Sequence, residues 1–215
     1  SFLGRSWIDV KDCGFPQFSR FMEGRDKIVV KPGDGCCGRG VEILRKADYS
    51  SVRALYDSIL ASGDAMAEEV VIQHPDMQRL NPGCVNTVRV GTITHNGKTG
   101  IVYAYVRIGN SGRPVDNLNA GGMCAPVDLE MGIISRPGYD KNGRTYAAHP
   151  ASGCAISGFQ IPYWAEAKEM CLKAAKIVPQ VGYVGWDVAF TAGGPILIEG
   201  NNMPGHDILQ LPPHL

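Results

Sequence analysis

Excess charge of one sign, long apolar runs and paired-cysteine motifs are all missing from this chain. Lys plus Arg number 21 and Asp plus Glu number 21, for a net charge of zero. That balance argues against a duplex nucleic-acid binder held by counterion release and against a polybasic membrane-surface protein. No apolar stretch approaches the roughly 20 residues of a membrane helix. The first residues, SFLGRSWIDV, lack the basic-then-apolar pattern of a signal peptide. The chain starts at Ser rather than Met, which suggests processing or a partial protein. The seven cysteines are odd in number and contain no C-x-x-C. The five histidines stand at no zinc-ligand spacing from them. Free thiols in a reducing compartment are therefore expected, rather than disulfides or structural zinc, which points to the cytoplasm. Repeats and low-complexity tracts are also missing.

What the chain has is length and punctuation. Its 215 residues suffice for one large domain or two small ones, and its 27 glycines and 14 prolines fall in short loops between periodic segments. This composition reads as a loop-rich protein of mixed α and β content. Residues 1–26 carry no clear pattern. KIVVKP (27–32) alternates as a strand, GDGCCGRG (33–40) is a glycine-rich loop, and VEILR (41–45) is again strand-like. Asp48 and Ser50 are candidate caps for a helix with apolar positions at Val52, Leu55 and Ile59, stopped by Gly63. EEVVIQ (68–73) is the next expected strand. NTVRVGTIT and KTGIVYAYVR flank His95-Asn96-Gly97, a hairpin signal. Residues 108–160 are irregular. Pro162 opens a helix that Pro179 closes, and YVGWDVAFT (183–191) and PILIEGN (195–201) form a last hairpin. The expected organisation is a small β-α-β lobe over 27–74 and a larger lobe over 75–215.

Three constellations carry chemistry. A last hairpin looped at Ala192-Gly193-Gly194 pairs 191 with 195, 189 with 197 and 187 with 199. Asp187 then faces Glu199, with Asn201 on the same side. Two facing carboxylates repel unless a hard cation lies between them, and oxygen ligands from Asp, Glu and Asn suit Mg²⁺. The same residues also suit a solvated hairpin face. The second constellation is Gly33, Gly35 and Gly38, which spell G-x-G-x-x-G. A strand rather than a helix follows, which excludes a dinucleotide fingerprint and leaves a phosphate-covering loop, with Lys31 as an adjacent point charge. A flexible hairpin loop with a surface lysine is the plainer alternative. Neither H-R-D nor D-F-G occurs, which argues against a protein kinase. Arg89 and Arg107 form the third set. A two-residue Asn96-Gly97 turn pairs 89 with 104 and separates the two arginines, whereas a three-residue loop pairs 87 with 107 and puts both on one face. Asp116-Asn117 followed by Asn119 and Gly121-Gly122 is a polar segment suited to a substrate loop or to an ordinary turn. His74 and His149, each before a proline, read as structural.

In this order, VVKP with its glycine loop, AEEVVIQ, NTVRV, YVRIG with VDN and GG, and GWDVAF with LIEGNNMPG resemble the ATP-grasp superfamily. The combination of IQHP, NTVRV, VDN…GG, HP and IEGNNMP looks most like its sugar-transfer-associated group. The resemblance runs from about residue 27 to 205. It implies an α+β fold of two lobes with mainly antiparallel sheets and ATP held between them. Lys31 with Gly35 and Gly38 would contact the phosphates, and Glu69, Val71 and Ile72 would form the hinge strand at adenine, with Gln73 or Asp76 toward the ribose. Arg89, Arg107 and Asn117 would stabilise transferring charge, and Asp187, Glu199 and Asn201 would bind Mg²⁺. The implied activity is ADP-forming ligation of a small carboxylate, activated as an acyl phosphate, to an amine or other nucleophile in surface-polysaccharide or sugar-linked biosynthesis, with no side-chain nucleophile. Cys36 and Cys37 are then incidental. A phosphotransferase and a non-catalytic nucleotide-binding module are the alternatives. Residues 1–26 would be the remnant of an N-terminal segment that such enzymes usually carry.

Overall fold

The computed structural model describes residues 6–32, 40–63, 65–110, 116, 118 and 121–211. The chain divides into two compact units, Ser1–Val71 and Ile72–Leu215.

The first unit is a four-stranded antiparallel sheet in the order β1-β4-β2-β3, where β1 is Trp7–Asp9, β2 Lys27–Pro32, β3 Glu42–Arg45 and β4 Ala65–Glu69. Alternation in β2 buries Ile28 and Val30, as its sequence predicts. Two helices, α1 (Phe15–Phe21) and α2 (Val52–Ala61), bring Phe18, Leu55 and Ile59 into the same core. The segment before residue 27 thus supplies a strand and a helix whose patterns are too short to read alone. The cap of α2 is Ser51, whose side chain accepts from the Ala54 amide at 3.1 Å, and neither Asp48 nor Ser50 caps it. The fourth strand is AMAEE rather than EEVVIQ. Its ladder with β2 runs from Pro32↔Ala65 to Ile28↔Glu69, and past Glu69 the chain leaves the sheet.

The second unit is a seven-stranded antiparallel sheet in the order β11-β10-β5-β6-β7-β8-β9. Its long strands are β5 (Thr87–His95), β6 (Lys98–Ile108), β10 (Tyr183–Thr191) and β11 (Gly194–Asn202). Short strands β7 (Met123–Pro126), β8 (Gly138–Tyr139) and β9 (Thr145–Tyr146) extend the sheet from within the stretch that sequence alone leaves irregular. Helix α4 (Trp164–Ile177) packs on β5, β6, β10 and β11. Ala167, Cys171, Ala174 and Ala175 are buried along it. No helix among the described residues is long and apolar enough to cross a membrane. Five cysteines are described, and all are free thiols.

A buried amide network ties the entry of this unit together. Gln73 donates through Nε2 to the Asn81 and Cys84 carbonyls at 3.1 and 2.9 Å. Its Oε1 accepts from the Asn86 amide and from Asn86 Nδ2 at 2.8 and 3.0 Å. Its hydrogen-bonding capacity is thereby filled, so Gln73 holds structure and does not reach toward a ribose. Asp76 stays in the short helix α3 (Pro75–Leu80), ion-paired with Arg79 at 3.4 Å, and His74 caps that helix through Nδ1. His149 is buried, with Nε2 2.8 Å from the Gly109 carbonyl and Nδ1 accepting from Ser152. Both histidines are structural, as expected.

Replacing Gln73 with Ala orphans the Asn86 amide and the Cys84 carbonyl. We expect a loss of about 3 kcal/mol of stability, measured by urea unfolding, with the transition still cooperative.

Candidate active site

Two hairpins build the site, and each reaches its register by an unexpected route. Asn96 and Gly97 form a two-residue turn with φ of 49° and 74°, and His95 pairs with Lys98. Continued unbroken, that register would put Arg89 opposite Ala104. A bulge intervenes, so that Thr92 pairs with Ile101 but Gly91 pairs with Tyr103. Beyond it Arg89 pairs with Tyr105 and Thr87 with Arg107, and both arginines lie on one face. The turn is the two-residue one, yet the pairing is the one a three-residue loop would produce.

The last hairpin does the same. Its loop is two residues, Ala192-Gly193, with Thr191 opposite Gly194 and Ala189 opposite Ile196. The expected 191–195 and 189–197 pairs are therefore shifted by one. A second bulge, between Val188↔Leu197 and Asp187↔Glu199, restores the Asp187–Glu199 pair. Asp187 also pairs with Arg89 on its other side. A single row thus crosses the sheet from Glu199 through Asp187 and Arg89 to Tyr105.

Asp187 is the hub of this row and is 3% exposed. Arg89 donates through Nε to Oδ1 and through Nη2 to Oδ2, the latter at 2.9 Å, while Arg107 Nη1 donates to Oδ2 at 2.8 Å. Burial raises the Asp187 carboxyl, but the Arg89 hydrogen bond and the two guanidinium charges outweigh it and hold the group below its usual range. Arg107 Nη2 meets Asp116 Oδ1 at 3.1 Å. Asp116 Oδ2 accepts from the Thr87 amide and hydroxyl. Burial of Asp116 exceeds what Arg107 and Thr87 return, and its carboxyl is raised.

Glu199 is exposed and hydrogen-bonds Asp187. Partial desolvation and the Asp187 charge raise its carboxyl. Asn201 Nδ2 donates to Glu199 Oε1 at 3.2 Å and to the Gly185 carbonyl at 3.3 Å, and its Oδ1 has no hydrogen-bond partner among the described residues. Two adjoining carboxylates, one proton-hungry, with an amide oxygen beside them fit a hard divalent cation. No three of His, Cys, Asp and Glu gather as a metal-holding group among the described residues.

Two glycines make room on this face. A Cβ on Gly91 would lie 2.3 Å from the Tyr103 ring, and one on Gly185 would lie 2.8 Å from Pro204 and 2.9 Å from Arg89. Tyr103 stacks on Tyr105 at 5.9 Å, and its hydroxyl joins a chain through Tyr183 at 3.1 Å to His206 at 2.9 Å. Burial pushes Tyr105 up to about 12. Ile208, Leu118 and Cys124 pack against Tyr105.

Of the other expected residues, Lys31, Glu69 and Val71 lie in the first unit. Lys31 Nζ is 2.6 Å from Glu68 Oε2, and Glu68 is buried. Glu69 ends β4 with its side chain 3.3 Å from Arg25 and its amide donating to Ser6. Val71 closes the first unit, and Ile72, 74% exposed, opens the second. Gly35, Gly38, Asn117, Cys36 and Cys37 lie outside the described residues. Asp116, which the sequence marks only as part of a polar loop, joins the charged row, and Thr87, Glu68, Tyr103 and Tyr105 carry no sequence signal taken up above. The alternation Tyr103-Tyr105-Arg107 was a usable signal, because period two puts all three on one face.

The model of the sugar-transfer-associated ATP-grasp family matches residues 14–214. This chain belongs to that family. A search of curated proteins finds no match. Among solved structures, the ATP-grasp fold of the chain is similar to that of an ATP-grasp ligase, PsnB, solved with a minimal precursor, Mg and ADP (TM-score 0.53, 15% identity, 94% of this chain and 45% of that one). It is also similar to D-alanyl-alanine synthetase A of Vibrio cholerae (0.51, 15%, 94% and 50%) and to a D-cycloserine synthetase, DcsG (0.51, 12%, 97% and 59%). At such identities the likeness shows the fold: two α+β units with antiparallel sheets. The ATP-grasp chain spans about half the length of these proteins.

Glu199 yields a test of the charge arrangement. Its folded-state pKa is raised, so its contribution to stability is present below the ordinary glutamate range and lost as pH rises through its folded value. A glutamine keeps the uncharged form throughout. Without divalent cation, Glu199→Gln is expected to exceed wild type at about pH 7 by less than about 1 kcal/mol, because solvent screens an exposed group. The gain should vanish near pH 4, as read from thermal melts at the two pH values.

Proposed function

We propose that this ATP-grasp protein is an ATP- and Mg²⁺-dependent ligase that joins a small-molecule carboxylate to an amine or other nucleophile. The observation that carries the reading is the row on the second sheet: Asp187 and Glu199 face each other with Asn201 beside them, next to two guanidiniums on the same face. Family membership supports it. In this reading residues 27–74 are the smaller ATP-grasp lobe and 75–215 the larger.

The chemistry needs no protein nucleophile. The γ-phosphoryl passes from ATP to a carboxylate oxygen and ADP leaves. The amine then attacks the carbonyl carbon, a C–N bond forms, the C–O bond to phosphate breaks, and the amine loses a proton. Bound Mg²⁺ supplies neutralisation of phosphate charge during transfer. Asp187, Glu199 and Asn201 are its ligands. Arg89 and Arg107 present fixed N–H groups to phosphate oxygens, and Asp116 with Thr87 keeps Arg107 aimed. Lys31, freed from Glu68, adds a point charge at the phosphates, with Gly35 and Gly38 giving backbone access. Glu69, Val71 and Ile72 meet the adenine through backbone groups, and Asn117 lies near the transferring group.

Calorimetric titration of a non-hydrolysable ATP analogue, with and without Mg²⁺, tests the reading. Wild type should bind in a Mg²⁺-dependent manner. Asp187→Asn should lose at least about tenfold in affinity and most of the Mg²⁺ dependence. Lys31→Ala should weaken binding and lower the melting temperature, since it takes the ammonium away from buried Glu68, while the transition stays cooperative. Mg²⁺-independent binding, or an unaffected Asp187→Asn, refutes the assignment. Nucleotide turnover that leaves a phosphorylated product would favour the phosphotransferase alternative.

A further inference from the structure

Asp187, the buried member of the three proposed cation ligands, is already fully engaged. Three N–H groups from Arg89 and Arg107 and a hydrogen bond with Glu199 occupy its two oxygens. A divalent cation arriving alone would meet two fixed positive charges bonded to the carboxylate it needs. Those guanidiniums are also the groups best shaped to grip phosphate. They cannot serve Asp187 and a polyphosphate at full strength at once. Arg107 has a second anchor in Asp116, which is itself held by Thr87. Its Nη1 can therefore leave Asp187 while Nη2 stays in place, and no strand has to shift.

We propose that Asp187 is a latched ligand: Arg89 and Arg107 hold it in the ligand-free protein, and an anion of the phosphate type releases it to a divalent cation by drawing the guanidiniums away. This rests on the assignment of Asp187, Glu199 and Asn201 to the cation and adds an order to it. The anion comes first or together with the cation, and the cation alone binds weakly. The burial of Asp187 gives the latch its physical reason. An unpaired carboxylate there would be costly, so the arginines compensate it until a cation can. By linkage, the cation tightens anion binding by the factor by which the anion tightens cation binding.

The test uses Mn²⁺ alone as the probe, read by electron paramagnetic resonance with no nucleotide present. Wild type should bind weakly. Arg107→Gln and Arg89→Gln, each of which removes a charge from beside the ligand, should bind at least about tenfold more tightly. Adding Asp187→Asn to either should erase the gain. If Arg89→Gln fails to fold, Arg107→Gln asks the same question with both Arg89 bonds in place. A third arm needs no variant: sodium sulfate should raise the Mn²⁺ affinity of wild type, whereas sodium chloride at equal ionic strength should not. Unchanged or weaker Mn²⁺ binding in a folded arginine variant, or no effect of sulfate, overturns the latch. If Mn²⁺ fails to bind even with the ATP analogue present, the cation assignment itself falls. If it binds with the analogue but the arginine variants show no gain, the latch alone falls.

Discussion

A carboxylate buried in the middle of a sheet survives only in company. Asp187 sits on β10 with Arg89 on one flanking strand and Glu199 on the other, and Arg107 reaches it from one strand further. Asp187, the two arginines and Asp116 compensate one another's desolvation, ending at the Thr87 amide. Removing Asp187, Arg89 or Arg107 strands a buried charge, which is far more damaging than losing a surface ion pair. The positions of β5, β6, β10 and β11 in the sheet are therefore tied to one electrostatic arrangement. The apolar positions alternating with it, such as Val88, Val90, Val106 and Val188, supply burial without charge.

That arrangement depends on register, and register depends on two extra residues. Strands count in twos, so a slip of one moves every side chain to the opposite face. The two tight turns, Asn96-Gly97 and Ala192-Gly193, both begin their ladders in a register that would separate the charged residues. One bulge in each hairpin corrects it before the charged rows begin. The turn and the bulge serve different ends. The turn closes the hairpin with the twist that strands prefer, and the bulge brings the charged side chains to one face. Gly91 and Gly185 complete the surface by leaving space for the Tyr103 ring, Pro204 and the Arg89 stem.

The first unit uses the same kind of compensation on a smaller scale. Lys31 and the buried Glu68 lie on neighbouring strands and pair at 2.6 Å. A buried acid needs a compensating charge, and the Lys31 ammonium supplies one. Lys31 and Asp187 thus share a property: each has a partner of opposite charge within its own sheet.

Several features could be read from the residues alone. The alternation of Ile28 and Val30, the helical spacing of Val52, Leu55 and Ile59, and the Asn96-Gly97 turn are local patterns, and local patterns report themselves. The facing of Asp187 and Glu199 also came out of the sequence, though from a three-residue loop that does not form, since a bulge happens to restore the same pair. The ordered series of motifs carried the family. The tertiary structure decided the rest. Whether Arg89 and Arg107 share a face turned on a bulge at a position with no turn signal of its own. Asp116 looked like part of a turn because its partner, Arg107, stands nine residues before it and acts through a strand face. β1, β7, β8 and β9 are too short to show a period, and they are strands because a neighbour completes their hydrogen bonds. Composition and spacing determined which charged and apolar residues each strand offers. The sheet decided which charges stand together, because pairing between strands is set by contacts distant in sequence.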